Sequence, residues 1–198
     1  QTVYTFTVTY TDNAGCTGFN TVNVTVDPAP VALAVGGTAT ICYNSSTNIT
    51  IAASQNGVSY QLRDNAGNTP VGSPVAGNGG AINLPTGNLT ATTTYNVLAT
   101  SAAGCDTQMS NTVTITVRPV LTVTAGTADN VICDDETVAL SSSAAGGSGT
   151  YTTIAWTGLA SGQLSSTSVA APTFNPNAVG AQTVYTFTVT YTDNAGCT

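Results

Sequence analysis

Residues Gln182–Thr198 repeat Gln1–Thr17 letter for letter, both reading QTVYTFTVTYTDNAGCT, at an offset of 181 residues. Separate domains of common descent drift apart, so identity over such a length points to a near-identical tandem array. A fixed internal period is the signature of a repeat architecture, in which each unit needs its neighbours to bury a continuous core. The expectation is that the chain is one 181-residue period of a longer polymer followed by a short overlap. Its work is then expected to be structural.

Within the repeated segment, Val3-Tyr4-Thr5-Phe6-Thr7-Val8-Thr9-Tyr10 places threonine at every second position. Alternation at period two, with β-branched and aromatic residues dominant, fits a strand buried on one face. Runs at 21–26, 48–53, 95–100, 112–117 and 121–124 behave alike. Turn signals lie between them: Asp12-Asn13-Ala14-Gly15, Gln55-Asn56-Gly57, Asp64-Asn65-Ala66-Gly67 and Pro85-Thr86-Gly87-Asn88. Gly and Asn tolerate the backbone angles that tight turns require. No segment carries helical periodicity. The predicted fold class is all-β, with tandem immunoglobulin-like β-sandwiches in a linear repeat array.

Two joints stand out. Asp27-Pro28-Ala29-Pro30 and Arg118-Pro119 each follow a strand ending in Val, and proline cannot continue a central ladder. They predict a complete module over 28–118, with strands near 31–35, 48–54, 58–64, 69–75, 81–84, 92–100 and 111–117. A second module over 119–198 has strands near 121–125, 136–143, 151–157 and 183–192, with a weak region at 163–175, and lacks its final strand. Residues 1–27 are expected to be the last two strands of a preceding copy of that second module. On this reading the next repeat's equivalent of 18–27 closes 119–198. Gly18, Phe19, Val22, Val24 and Val26 are then the strand-complementing residues. Trp156 falls in the third strand of the second module, where such sandwiches bury an aromatic ring.

Composition narrows the function. Formal net charge is −7, with Arg63 and Arg118 as the only basic residues and no His. Phosphate neutralisation needs clustered Lys and Arg, so nucleic acid is not an expected partner. Charged residues make up 6 % of the chain, against roughly a quarter in ordinary domains. The polar surface is therefore built from Thr, Ser, Asn and Gln. Hydrophobic content of 41 % is enough for a packed core. No run of about 18 apolar residues exists, so no membrane insertion is expected.

The five cysteines are Cys16, Cys42, Cys105, Cys133 and Cys197, and Cys16 and Cys197 are one position a period apart. One period therefore holds an even set, two per module, which in a neutral Thr-rich chain favours disulfides. Zinc needs ligand spacing of the CxxC kind or histidines, and neither is present. The interval from Cys42 to Cys105 nearly matches that from Cys133 to Cys197, which invites bonds within each module. Topology argues otherwise. Cys42 and Cys133 precede the second strand, Cys105 and Cys197 follow the sixth, and in an antiparallel sandwich these strands run the same way. Strands of about 7–9 residues separate such ends by roughly 25–30 Å, whereas a disulfide needs Cα atoms about 5.5 Å apart. The reading pairs Cys42 with Cys197 across the joint. Cys133 then pairs with the next repeat's Cys105, and Cys16 with the preceding repeat's Cys42. The alternative, Cys42 with Cys105 and Cys133 with Cys197, stays open if the first strand is short and Cys42 loops back.

Candidate chemistry elsewhere is thin. Asp134-Asp135-Glu136 is the one acidic cluster and the only metal candidate, for Ca²⁺ through oxygen ligands; no other cofactor is expected. A solvated turn is the competing reading, because the run lacks an alternating ligand pattern. Asp12 and Asp193 read as turn formers. The sequons at Asn23, Asn44, Asn48 and Asn88 are expected by chance in so Thr-rich a chain. Gly77–Gly80 and Gly146–Gly149 lack the strand–loop–helix context of a phosphate cradle. Tyr10 and Tyr191 read as sheet or interface residues, with glycan stacking as the rival.

The stretch YTFTVTYTDNAGCT, followed by GFNTVNVTV and a Pro-rich joint, resembles the Ig-like and PKD-like repeats of giant Bacteroidota surface proteins. VSYQLRDNAGNTPVGSPVAGNGG and LPTGNLTATTTYNVLAT in the first module look like a recurrent repeat of the same group. A WDFGDG-like segment is missing, so Ig-like describes the chain better than PKD-like. The resemblance implies export by a type IX route, a cell-surface stalk, adhesin or filament role, and no catalytic residues. The expected function is thus a mechanical spacer in an extracellular filament, stabilised by disulfides, with adjacent copies of the repeat as partners. The alternatives are a glycan- or protein-binding surface module, and separate subunits that polymerise by strand complementation.

Overall fold

The computed structural model describes residues 1–198 and is all-β, with one short 3₁₀ turn at Ser161–Gln163. The alternating Thr-rich runs become β1 (Thr2–Thr11) and β2 (Thr17–Val26), which pair antiparallel over their full length, from Thr2 opposite Val26 to Thr11 opposite Thr17. This hairpin is a two-stranded sheet of its own, and every residue in both strands is exposed.

Next come β3 (Ala39–Ile41), β4 (Asn48–Ile51), β5 (Val58–Asp64), β6 (Val75–Ala76), β7 (Ile82–Pro85), β8 (Thr93–Ser101), β9 (Asp106–Gln108) and β10 (Val113–Val117). One sheet runs β3-β10-β8-β5-β6, with β9 also on β8, and β4 pairs β7 in a second sheet. The inward residues follow the period of two. Tyr60 and Leu62 on β5, Val97 and Ala99 on β8, Ile115 on β10 and Ile49 and Ile51 on β4 are all buried. β3 runs parallel to β10, with Ile41 opposite Val117.

The remainder holds β11 (Thr122–Thr127), β12 (Val138–Ala145), β13 (Tyr151–Thr157), β14 (Thr173–Phe174) and β15 (Thr188–Asp193). They form a β11-β12-β14 sheet and a β13-β15 pair. Their core is Val138, Leu140, Trp156, Ala160 and Phe174. Trp156 Nε1 donates to Val169 O at 2.8 Å, so the buried indole is satisfied. Phe174 meets Tyr185 and Phe187 edge-on at 5.1 and 5.0 Å.

The chain clusters into two compact units. One takes Gln1–Thr38, Thr47–Gly87 and Thr94–Thr114; the other takes Ala39–Ser46, Asn88–Thr93 and Ile115–Thr198. Three local expectations fail. Residues 31–35 are not a strand, because side chains hold their backbone: Asn111 accepts from Val35 N–H and donates to Val35 C=O, and Ser110 Oγ donates to Leu33 O. Of 69–75, only the last residue joins a strand. Of 183–192, only 188 onward does, followed by Asp193. Two short strands, β3 and β9, appear where the sequence shows no alternation.

Candidate functional site

The cysteines sit on two kinds of turn. Asp12–Cys16, Ser101–Cys105 and Asp193–Cys197 are the same structure. In each, the first residue's N–H donates to the cysteine C=O, at 2.9, 2.9 and 3.0 Å, and the glycine N–H returns to the first residue's C=O. The first side chain also accepts from the cysteine N–H, through Asp12 Oδ1, Ser101 Oγ and Asp193 Oδ1. The other kind begins with cysteine. Ser45 N–H donates to Cys42 O, and Glu136 N–H donates to Cys133 O.

One turn of each kind meets. Cys42 and Cys197 form a disulfide, with Cα atoms 5.5 Å apart and 155 residues between them in sequence. Both lie in the unit that contains Ile115–Thr198. Cys16 and Cys133 are exposed free thiols, and Cys105 is a half-buried one whose Sγ lies 3.8 Å from Asp27 O. With Cys42 and Cys197 joined to each other, the alternative pairing of Cys42 with Cys105 and Cys133 with Cys197 is not formed.

Beside the disulfide lies a buried carboxylate. Asp193 is 2 % exposed and accepts from Ser148 N at 2.6 Å and from Ala195 N and Cys197 N at 2.8 Å. Burial alone pushes its pKa up, but the backbone donors of Cys197, Ser148 and Ala195 outweigh it, and the net shift is below 3.8. Gly147 makes room. It has φ +58°, and a Cβ there would stand 2.5 Å from Asp193 Oδ2 and 2.9 Å from Leu121 Cδ1. Its N–H also donates to Pro119 O at 3.0 Å, and Arg118 N–H donates to Ile41 O at 2.9 Å. The Pro-marked joint is thus bonded on both sides of Pro119. Arg118 Nε is buried with no hydrogen-bond partner.

The acidic cluster is spent on backbone. Glu136 Oε2 accepts from Cys133 N at 3.0 Å, and Asp134 Oδ2 accepts from Val179 N at 3.1 Å. Asp134, Asp135 and Glu136 are not brought together as a ligand set, and no group of three acidic, Cys or His side chains converges anywhere. Tyr191 is buried, its hydroxyl 2.8 Å from Ser142 Oγ, whereas Tyr10 is exposed. On β2, Gly18, Phe19, Val22, Val24 and Val26 are all exposed.

One feature has no sequence signal. A cavity of about 540 Å³ is lined by Trp156, Leu140 and Phe174, by 125–127 of β11 and by 182–185 with Phe187. The nearest hint is the unpaired half of the repeated segment, 183–187, which belongs to no strand.

Residues 29–119 match the family described as Ig-like domain CHU_C associated. Among solved structures, the fibronectin(III)-like modules of Clostridium thermocellum CbhA are similar at a TM-score of 0.35 and 12 % identity, over 83 % of this chain and 88 % of that one. The three-domain ectodomain of mouse nectin-like molecule 4 is similar at 0.34 and 14 %, over 85 % and 61 %. No curated protein matches the chain. The fold class is all-β, with the immunoglobulin-like match over residues 29–119. No helix is long and apolar enough to cross a membrane.

Proposed function

We infer that this protein is a non-catalytic structural repeat of an extracellular filament or adhesin stalk on a bacterial surface, and that its task is to carry load. The observation that carries this reading is the path of the Cys42–Cys197 bond. A pulling force enters a chain through its backbone and normally unravels each sandwich in series. Here the disulfide bridges 155 residues of sequence, so tension arriving at Cys42 can leave at Cys197 through one S–S bond. Every strand from β4 to β15 lies inside that covalent shunt.

Other features support the same role. A sparsely charged surface rich in Thr, Ser and Asn is little affected by salt, and disulfides belong to oxidising compartments. Family likeness and the exact repeat fit a module used many times over, with adjacent copies as neighbours. Export through a type IX route follows from the Bacteroidota resemblance.

Single-molecule stretching of the full chain tests the reading. Oxidised molecules should keep the bridged segment folded or slack, and reductant should add about 50 nm of contour, from 155 residues at roughly 3.3–3.6 Å each. The same gain should appear without reductant in Cys42→Ser. An identical extension in oxidised and reduced protein would remove the load-bearing argument.

A further inference from the structure

We propose that along the repeated chain every joint is held by one peptide and one disulfide, so that tension runs on two separate covalent tracks and bypasses the bodies of the sandwiches. The proposal rests on the structural-repeat reading and deepens it, because it states which parts of the chain bear the load.

The joint at Arg118-Pro119 shows the arrangement. β3 runs parallel to β10 with Ile41 opposite Val117, and Arg118 N–H donates to Ile41 O, so Cys42 stands level with the end of the strand that leads into the joint. After the joint, Asp193 of the Asp193–Cys197 turn accepts from Ser148 N–H, and the adjacent Gly147 N–H donates to Pro119 O at 3.0 Å. A turn that begins with cysteine is thereby bonded across the joint to a turn that ends with cysteine.

The joint at Asp27-Pro28 has the same parts. Val26-Asp27-Pro28 matches Val117-Arg118-Pro119. The Ser101–Cys105 turn repeats the hydrogen bonds of Asp193–Cys197, and Cys105 Sγ lies 3.8 Å from Asp27 O, on the joint itself. The turn it needs from the preceding module is the one at Cys133. Ile132 precedes Cys133 as Ile41 precedes Cys42. Glu136 N–H donates to Cys133 O as Ser45 N–H donates to Cys42 O. Cys133 is an exposed thiol, open to such a partner. Cys16 is Cys197 one period earlier, so its partner is the preceding period's Cys42. Cys133 of one period then bonds Cys105 of the next.

Forming that second bond is an oxidation, and a low-molecular-weight disulfide supplies it. The Cys133 thiolate attacks this disulfide and displaces one thiolate. The Cys105 thiolate then attacks the Cys133 sulfur of the mixed disulfide and displaces the other. One S–S bond has formed and one has broken. Two electrons and the two thiol protons end on the external pair, which leaves as two thiols.

The connectivity fixes the load path. One track follows the backbone from Cys16 to Cys42, about 26 residues that include β2, β3 and Asp27-Pro28, and crosses to the next period's Cys16 through the S–S bond. The other follows Cys105 to Cys133, about 28 residues that include β10, β11 and Arg118-Pro119, and crosses to the next period's Cys105. The tracks share no residue. Residues 43–104 and 134–196 hold β4–β8 and β12–β15 and join the tracks only as rungs. Fully drawn out, the first track spans about 90–100 Å per period at roughly 3.3–3.6 Å per residue, against about 600–650 Å for an unbridged period of 181 residues. While oxidised, such a fibre gains no length when a sandwich body unfolds.

The test uses a chain of two periods in tandem, oxidised with glutathione disulfide. Non-reducing peptide mapping should find Cys133 of the first period joined to Cys105 of the second. Cys105→Ser in the second period should leave that Cys133 free, and the same change in the first period should not. Stretching a chain with Cys42→Ser in both periods isolates the second track. Reductant should still add about 50 nm there, from a bridged span of about 153 residues. Cys105 and Cys133 that stay free, or pair within one period, would overturn the proposal. So would a Cys42→Ser chain that gains no length on reduction. Each of these results leaves the Cys42–Cys197 shunt of a single period untouched, so the load-carrying reading stands or falls separately.

Discussion

Asp12 and Asp193 occupy the same place in the same seventeen residues, and only one of them is buried. Both accept from the N–H groups two and four residues on, so the turn is encoded locally. Ser148 N–H and the space left by Gly147 are supplied only at Asp193. The folded pKa of Asp193 is lowered. A depressed carboxylate contributes stability that is present above its unfolded value of 3.8 and lost as pH falls through the folded value. The thermal midpoint should therefore hold near neutral pH and decline below about pH 4. Asp193→Asn should lower the neutral midpoint and flatten that decline, as read by calorimetry across the range. Gly147→Ala should cost roughly 1–3 kcal/mol in urea unfolding, because alanine at a left-handed φ is strained and its Cβ meets the carboxylate.

At the scale of elements, the long strands β1, β2, β5, β8 and β10 were legible, because apolar and polar residues alternate along them at a period of two. The short ones were not. β3 is three residues long and is a strand because it lies parallel to β10, a contact that no local pattern reports. Conversely 31–35 has strand composition, but Asn111 and Ser110 take its backbone groups from across the fold. The cysteine turns were readable as turns, because Asp12 and Asp193 each stand before an Asn-Ala-Gly-Cys run that folds back on their own carboxylates. The cavity was not readable, because it is lined in part by 183–187, which alternate like a strand and join none. An unsupported two-stranded hairpin is marginal in water. Amides of β1 and β2 should therefore exchange with solvent on opening costs of about 0–2 kcal/mol, while those of β5 and β8 exchange only on global unfolding. Hydrogen-exchange mass spectrometry on the monomeric chain reads both in one experiment, and slow exchange in β1 and β2 would show cover that the structure lacks.

Over the whole molecule, stability has to come from apolar burial, backbone ladders and the disulfide, because charge has almost no part. Arg63 is one of two cations, and it donates to neutral groups, Asn96 Oδ1 at 2.8 Å and Gln108 Oε1 at 3.3 Å. Asn96 in turn donates to Asn65 and Asn68, so the charge ends in an amide network. The disulfide closes a span of 155 residues, worth about 5 kcal/mol in the chain-entropy account. What remains of electrostatics is the mutual repulsion of a net charge of −7. Salt screens repulsion and attraction alike within about 10 Å at 0.1 M, so its effect reports which dominates. A fold laced with ion pairs loses stability as salt rises. This one should be unchanged or gain slightly, with a midpoint rise of no more than a few degrees from about 0.02 to 1 M sodium chloride at neutral pH. A fall over that range, measured by circular dichroism on the oxidised chain, would mean that charge pairs hold the sandwiches. The account of a sparsely charged fold held by apolar burial, backbone ladders and a disulfide would then lose its basis.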